Sequence, residues 1–138
     1  MLKILIDTNI IIDALANRAN FAESAKALIL SIANNKAKGY ITTNTVTDIY
    51  YLLRKHYSDS ETARKQLETL FTIVDILEIS KEDCKKAVRF PMSDFEDAIL
   101  ACCAERCSID FIATRNTKDF ANSPVQAKLP TELTDLLQ

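Results

Sequence analysis

Ile4, Leu5 and Ile6 form an unbroken apolar run that stops at Asp7. Such a run leaves no polar side for water, so a strand here must be covered on both faces, as inside a parallel sheet. Parallel strands need long crossovers, and the chain supplies helical ones. Thr8 and Asn9 are suitable caps for a short helix from Ile10 to Leu15. Phe21, Ala25, Leu28, Ile29 and Ile32 follow helical spacing, which predicts a helix over 21–37 stopped by Gly39. Residues 40–43 then read as a strand. Helical spacing returns at Val46, Ile49, Tyr50 and Leu53, and again over 60–71, where Ser60 is the expected cap.

Residues 73–77 are rich in β-formers, a polar helix is expected over 81–88, and Pro91 breaks the chain before a helix over 94–105. Residues 110–114 make the next strand, followed by a polar loop through Asp119. Pro124 and Pro130 frame a short tail segment in which Thr131 is placed to cap a last helical turn. Strands alternating with helices predict an α/β fold with a mainly parallel sheet. The 138 residues contain no repeat or linker and read as one domain over 1–138. In such folds reactive groups gather at the carboxyl ends of the strands.

Several functional classes drop out on single counts. With Gly39 as the only glycine, neither a Walker A loop nor a G-x-G-x-x-G fingerprint can be present. One histidine, His56, excludes a His-rich zinc site and leaves no His-based triad in view. Cys102, Cys103 and Cys107 fall in or just past the end of one predicted helix and, with Cys84, are expected to be buried small hydrophobes rather than disulfides. A net charge of −2 gives no global basic footprint, so any nucleic acid must be held by local cations. The Lys85-Lys86-Arg89 and Arg64-Lys65 groups read as solvated helix faces, and His56 follows Arg54-Lys55 at a helix end. Asp7 interrupts the first apolar run too early for a signal peptide, and no segment approaches about 20 apolar residues. A cytoplasmic location without membrane contact is the expectation.

Acidic residues recur where elements begin and end. Asp7 closes the first strand, Asp48 lies early in the helix after the second, and Asp94, Glu96 and Asp97 open a later helix. Each has a plain structural reading. Asp7 and Asp94 are suitable helix caps, and Asp48 can be a solvated helix residue. Asp97 is harder to dismiss, because Ala98-Ile99-Leu100-Ala101 follows it into a helix of buried character. Asp94 and Asp97, three apart, share the face of a first turn. Carboxylates gathered together repel unless a cation neutralises them, and an all-oxygen set suits Mg²⁺ or Mn²⁺.

Taken together, these segments resemble the PIN-domain ribonucleases, in particular the VapC-like toxins of toxin–antitoxin pairs. The resemblance rests on Ile6-Asp7-Thr8-Asn9 with Asp13, on Ile41-Thr42-Thr43-Asn44 leading to Asp48, and on Asp94-Phe95-Glu96-Asp97-Ala98. It closes with the run from Phe111 to Phe120, through Thr114-Arg115-Asn116 and Asp119. It implies a Rossmann-like sheet, an acidic pocket binding Mg²⁺ or Mn²⁺, cleavage of RNA phosphodiesters, a protein antitoxin and a homodimer. The resemblance makes Asp7, Asp48 and Asp97 the catalytic acids and assigns metal binding to Asp7 and Asp97, with Asp48 and Asp94 completing the metal-binding ring. Asp48 stands where many members have glutamate, one methylene longer. Asn116 stands where many have a fourth acid; its amide carries no charge but can orient water through its carbonyl oxygen. Asp119 either compensates for it or stabilises the loop. Thr8 is placed to reach a phosphate or to cap, Arg115 and Lys118 to hold RNA phosphates, and Asp13 to serve the structure.

Three rival readings stand beside this one, the loosest being a structural or housekeeping PIN nuclease without an antitoxin. A phosphoryl-accepting Asp7 would need a second acid at residue 9, where the chain has Asn9. A PIN-fold module that binds RNA or protein without cutting is the other, supported by the departures at Asp48 and Asn116.

Overall fold

The computed structural model describes all of residues 1–138. Its elements run β1 (Lys3–Ile6), α1 (Thr8–Leu15), α2 (Ala22–Ala33), β2 (Lys38–Thr42), α3 (Thr43–Tyr57), α4 (Ser60–Ile73) and β3 (Val74–Leu77). There follow α5 (Lys81–Val88), α6 (Phe95–Arg106), β4 (Phe111–Ala113), a 3-10 turn (Thr117–Phe120), β5 (Ala127–Lys128) and α7 (Pro130–Leu136). The five strands form one sheet in the order β3-β2-β1-β4-β5, and every pairing is parallel. No helix is long and apolar enough to cross a membrane.

The opening apolar run sits at the centre of this sheet, between β2 and β4. Ile4 and Ile6 enter a large core with residues of α1, α2, α3, α4 and α7, while Leu5 enters a second core with Tyr40, Ile112 and residues of α6. Alternate residues thus serve opposite layers, which is why no polar residue is tolerated there. Helix α6 is itself enclosed: Ala98 through Ala104 are all buried. On one side it meets the sheet, and on the other Ala98, Ile99 and Cys102 pack with Ala87 of α5. Its alanines and cysteines are small enough for that double contact. The Arg106 guanidinium adds a lock, donating to the buried Asp83 carboxylate of α5 at 2.9 Å and to the Glu78 carbonyl at 2.6 Å. The helix that opens with Asp94, Glu96 and Asp97 is therefore rigidly placed.

The structure corrects the sequence reading at several ends. Helix α2 stops at Ala33, four residues before the expected end, because Asn35 takes a left-handed φ of 62°. Asparagine tolerates that conformation better than most non-glycine residues. Gly39 is not the stop but part of β2, and a Cβ there would lie 3.0 Å from Ile32 and 3.1 Å from Val74. Its role is to let α2 and β3 close over the strand. Asp7, not Thr8 or Asn9, caps α1, Asp59 rather than Ser60 caps α4, and α7 opens on Pro130 instead of a Thr131 cap. Helix α3 starts at Thr43, three residues before its first apolar position, because Thr42 and Thr45 exchange hydrogen bonds as a cap. Cys102 and Cys103 are buried as expected, Cys107 partly so, and Cys84 is exposed; none is paired. Strand β5 has no counterpart in the reading, since two residues carry no periodicity.

Candidate active site

In the strand order the chain steps from β1 outward to β2 and β3, then returns to the other side of β1 with β4. That reversal leaves a crevice at the carboxyl ends of β1 and β4, the usual binding position of an open parallel sheet. A cavity of about 560 Å³ lies there, lined by Asp7, Thr8, Asn9, Asp48, Asp94, Glu96, Asp97, Asn116 and Asp119, with Tyr51, Leu52 and Phe120 as its apolar wall.

Asp7 follows directly on β1 and is fixed on both oxygens. Oδ1 accepts the Thr8 backbone N–H at 2.8 Å, and Oδ2 accepts the Thr114 hydroxyl at 2.9 Å. Thr114 follows β4, is fully buried, and its hydroxyl oxygen also accepts the Asn116 N–H at 3.1 Å. One threonine therefore joins the acid of β1 to the loop carrying Asn116. Asp48 and Tyr51 project from α3, and Asp94 is the N-cap of α6, accepting the Asp97 N–H at 2.9 Å. Asp94 thus caps α6 through one carboxylate oxygen and still lines the cavity.

The electrostatics follow from this crowding. Burial, then the charges of Asp94, Asp7, Asp119 and Glu96, push the Asp97 carboxyl up to about 7. Burial also raises Asp7, against the Thr114 and Thr8 hydrogen bonds and the Arg115 charge. Glu96 is raised by burial and by Asp48, Asp94 and Asp7. These groups share one field, in which ionisation of each opposes the others.

Of the residues singled out in the sequence, Asp7, Thr8, Asp48, Asp94, Asp97, Asn116 and Asp119 line one cavity. Arg115 and Lys118 do not. Arg115 lies against Asp13 of α1, Nε to Oδ2 at 2.9 Å, with its guanidinium carbon 4.0 Å from the Phe21 ring centre, and Lys118 is exposed on the 3-10 turn. Glu96, named in the sequence only as a helix-opening acid, faces the cavity; its signal was the acidic cluster itself. Thr114 and Tyr51 were not anticipated as site residues. Thr114 carried a signal in being the polar end of a strand predicted to lie in the same sheet as the one ending at Asp7.

The donor set fits a hard divalent cation: every polar group is an oxygen donor or an amide, with neither sulfur nor imidazole. No three His, Cys, Asp or Glu side chains already stand in a chelating arrangement.

Raised carboxyls have a signed consequence. The folded state binds the Asp97 proton more tightly than the unfolded chain, so the associated stability is complete below about pH 4 and is lost as pH rises through about 7. Asp59 and Asp83 are lowered and act below that window. In EDTA, the melting temperature should fall from pH 4 to pH 7, and Asp97→Asn should flatten the fall and melt at or above the parent at pH 7. An unchanged slope in the variant would remove Asp97 from the centre of the repulsion.

Comparison with known proteins places this geometry. The PIN domain family model matches residues 3–118. Among solved structures, FitAcB from Neisseria gonorrhoeae aligns with a TM-score of 0.73 at 21% identity, over 93% of this chain and 98% of that one. A toxin–antitoxin complex from Klebsiella pneumoniae aligns at 0.66 and 25% identity, over 91% and 96%. VapC20 of Mycobacterium tuberculosis, described as a toxin cleaving the sarcin-ricin loop, aligns at 0.62 and 18% identity, over 79% and 86%. A search of curated protein sequences finds no match. Five parallel strands with an acidic crevice beside the first, and a family match from the first strand to the loop after the fourth, make this chain a member of the PIN domain family.

Proposed function

We propose that this protein is a Mg²⁺- or Mn²⁺-dependent endoribonuclease, the toxin of a toxin–antitoxin pair. The observation that carries the reading is the convergence of Asp7, Asp48, Asp94 and Asp97 on one cavity, with Asp97 raised to about 7 by burial and its acidic neighbours. Membership of the PIN family supports nuclease chemistry, and the Klebsiella and Mycobacterium relatives support a toxin that acts on RNA and meets an antitoxin.

In this reading Asp7 and Asp97 hold the cation, with Asp48 and Asp94 completing the negative ring. A bound divalent ion supplies positive charge for the phosphate oxygens and acidifies water near neutral pH. The chain does the rest. The Thr114 hydroxyl and the Thr8 N–H fix the Asp7 carboxylate in one orientation, so no rotamer search precedes binding. The Asn116 carbonyl is available to orient the attacking water, and the Thr8 hydroxyl to meet a phosphate oxygen. Lys118 and Arg115 add positive charge beside the pocket for the RNA backbone. His56 lies outside the cavity, so no imidazole serves as general base.

Partners would cover the apolar side chains left exposed on α2, α3 and α4. Leu30 of α2 is 61% exposed and Phe71 of α4 is 39% exposed, and the half-buried Val46 and Tyr50 line an open groove beside Phe71 between α3 and α4. These are surfaces for a second copy and for an antitoxin segment. The homodimer should appear in light scattering at micromolar concentration; a monomer at every accessible concentration would contradict it.

Unpaired RNA should be cut in Mn²⁺ or Mg²⁺ and left intact in EDTA, and Asp97→Asn should lose about 100-fold or more. If Asn116 only orients water, Asn116→Asp should keep or raise activity. If Asp119 has taken the ligand role, Asp119→Asn should lose most activity and Asn116→Ala little. RNA retained without Mn²⁺-dependent cleavage would instead establish the binding module.

A further inference from the structure

Asp13 is a carboxylate with no exposure at all, and the chemistry proposed above does not use it. Two arginines meet it: Arg18 Nη1 at 3.5 Å from Oδ1, and Arg115 Nε at 2.9 Å from Oδ2. Arg18 Nη1 also donates to Asn9 Oδ1 at 3.3 Å, and Asn9 lines the acidic cavity. Arg115 directly precedes Asn116, which lines it too. One buried charge thus stands behind two pocket amides, in a cluster of two cations and one anion.

Six carboxylates line the cavity: Asp7, Asp48, Asp94, Glu96, Asp97 and Asp119. The guanidinium of Arg115 is the cation they would attract, since it stands one residue from the loop wall and its charge already acts on Asp7. An arginine fork matches carboxylates bidentately, and one inside the pocket would occupy the oxygens meant for a metal ion. Two contacts keep it elsewhere, the Asp13 carboxylate and the Phe21 ring at 4.0 Å. The Asp13 Oδ2 and Arg115 Nε atoms, though 2.9 Å apart and buried, are not aligned as a hydrogen bond. The hold is therefore mainly one of charge, which an isosteric amide would abolish.

We infer that Asp13 is a positioning residue that holds Arg115 beside the acidic pocket and out of it, keeping the carboxylates open to a cation. The inference rests on the metal-dependent reading above. With Asp13 in place, Arg115 adds positive charge at the pocket's edge for a phosphate without taking the place of the ion. Without it, Arg115 becomes an internal competitor of that ion.

The test is a double-mutant comparison read by Mn²⁺ binding in calorimetry. Asp13→Asn should weaken Mn²⁺ affinity about tenfold, the scale of losses for residues acting behind a metal site. Asp13→Asn with Arg115→Gln should return to within about threefold of the parent, because the competitor is gone. A merely structural Asp13 would give no rescue. An unchanged affinity in Asp13→Asn, or a double variant as weak as the single one, overturns the inference. Phe21→Leu removes the other hold without touching a buried charge and decides the matter if Asp13→Asn does not fold: a loss of about threefold, reversed by Arg115→Gln, supports it, and no loss overturns it. If the parent binds no Mn²⁺, the metal-site reading fails, and a crystal structure of metal-free Asp13→Asn separates the two questions. Arg115 found among the pocket carboxylates sustains the positioning role, and Arg115 still on Phe21 ends it.

Discussion

The parallel pairing of β1 with β4 places Asp7 beside Thr114, and the 2.9 Å hydrogen bond between their side chains closes the crevice end of the sheet. Much of the site depends on that junction. Ile6 stands opposite Ala113, so the residues that follow them, Asp7 and Thr114, come at the same height at the end of the ladder. Thr114 then ties the loop of Asn116 to the first acid through its own hydroxyl. A buried threonine can do this because its single hydroxyl both donates, to Asp7, and accepts, from Asn116, leaving no unsatisfied polar atom.

Against this rigid junction stands α6, whose first turn and cap carry Asp94, Glu96 and Asp97. Its enclosure between sheet and α5, with Arg106 locked on Asp83, removes the freedom by which Asp94, Glu96 and Asp97 could retreat from Asp7. Fixed carboxylates that cannot separate must raise their proton affinity or take up a cation. The fold thus sets the chemistry: packing energy in α6 is what holds the like charges together.

Much of this was legible in the chain. The apolar run over 4–6 announced a central parallel strand, and the acids at element boundaries announced the pocket, because strand ends and helix starts are where such folds place reactive groups. Helix ends were harder to read. Asn35 in a left-handed conformation stopped α2 where periodicity and Gly39 suggested a later end. The two-residue β5 is held by backbone bonds, Ile112 N–H to Gln126 and Thr114 N–H to Lys128, which leave no side-chain pattern. Arg115 shows a further gap between sequence and site. Its position in the motif suggested a group at the pocket, yet its partner is a buried acid on another element, and only tertiary geometry reveals that pair.

The central claim is that acids from β1, α3 and α6 form one cation site at the β1–β4 crevice. Anomalous diffraction from a crystal soaked in Mn²⁺ tests it most directly. A peak within direct coordination distance of the Asp7 and Asp97 carboxylates, lost in Asp97→Asn, is the result predicted. A pocket without a peak while Mn²⁺ orders elsewhere on the molecule would contradict the account.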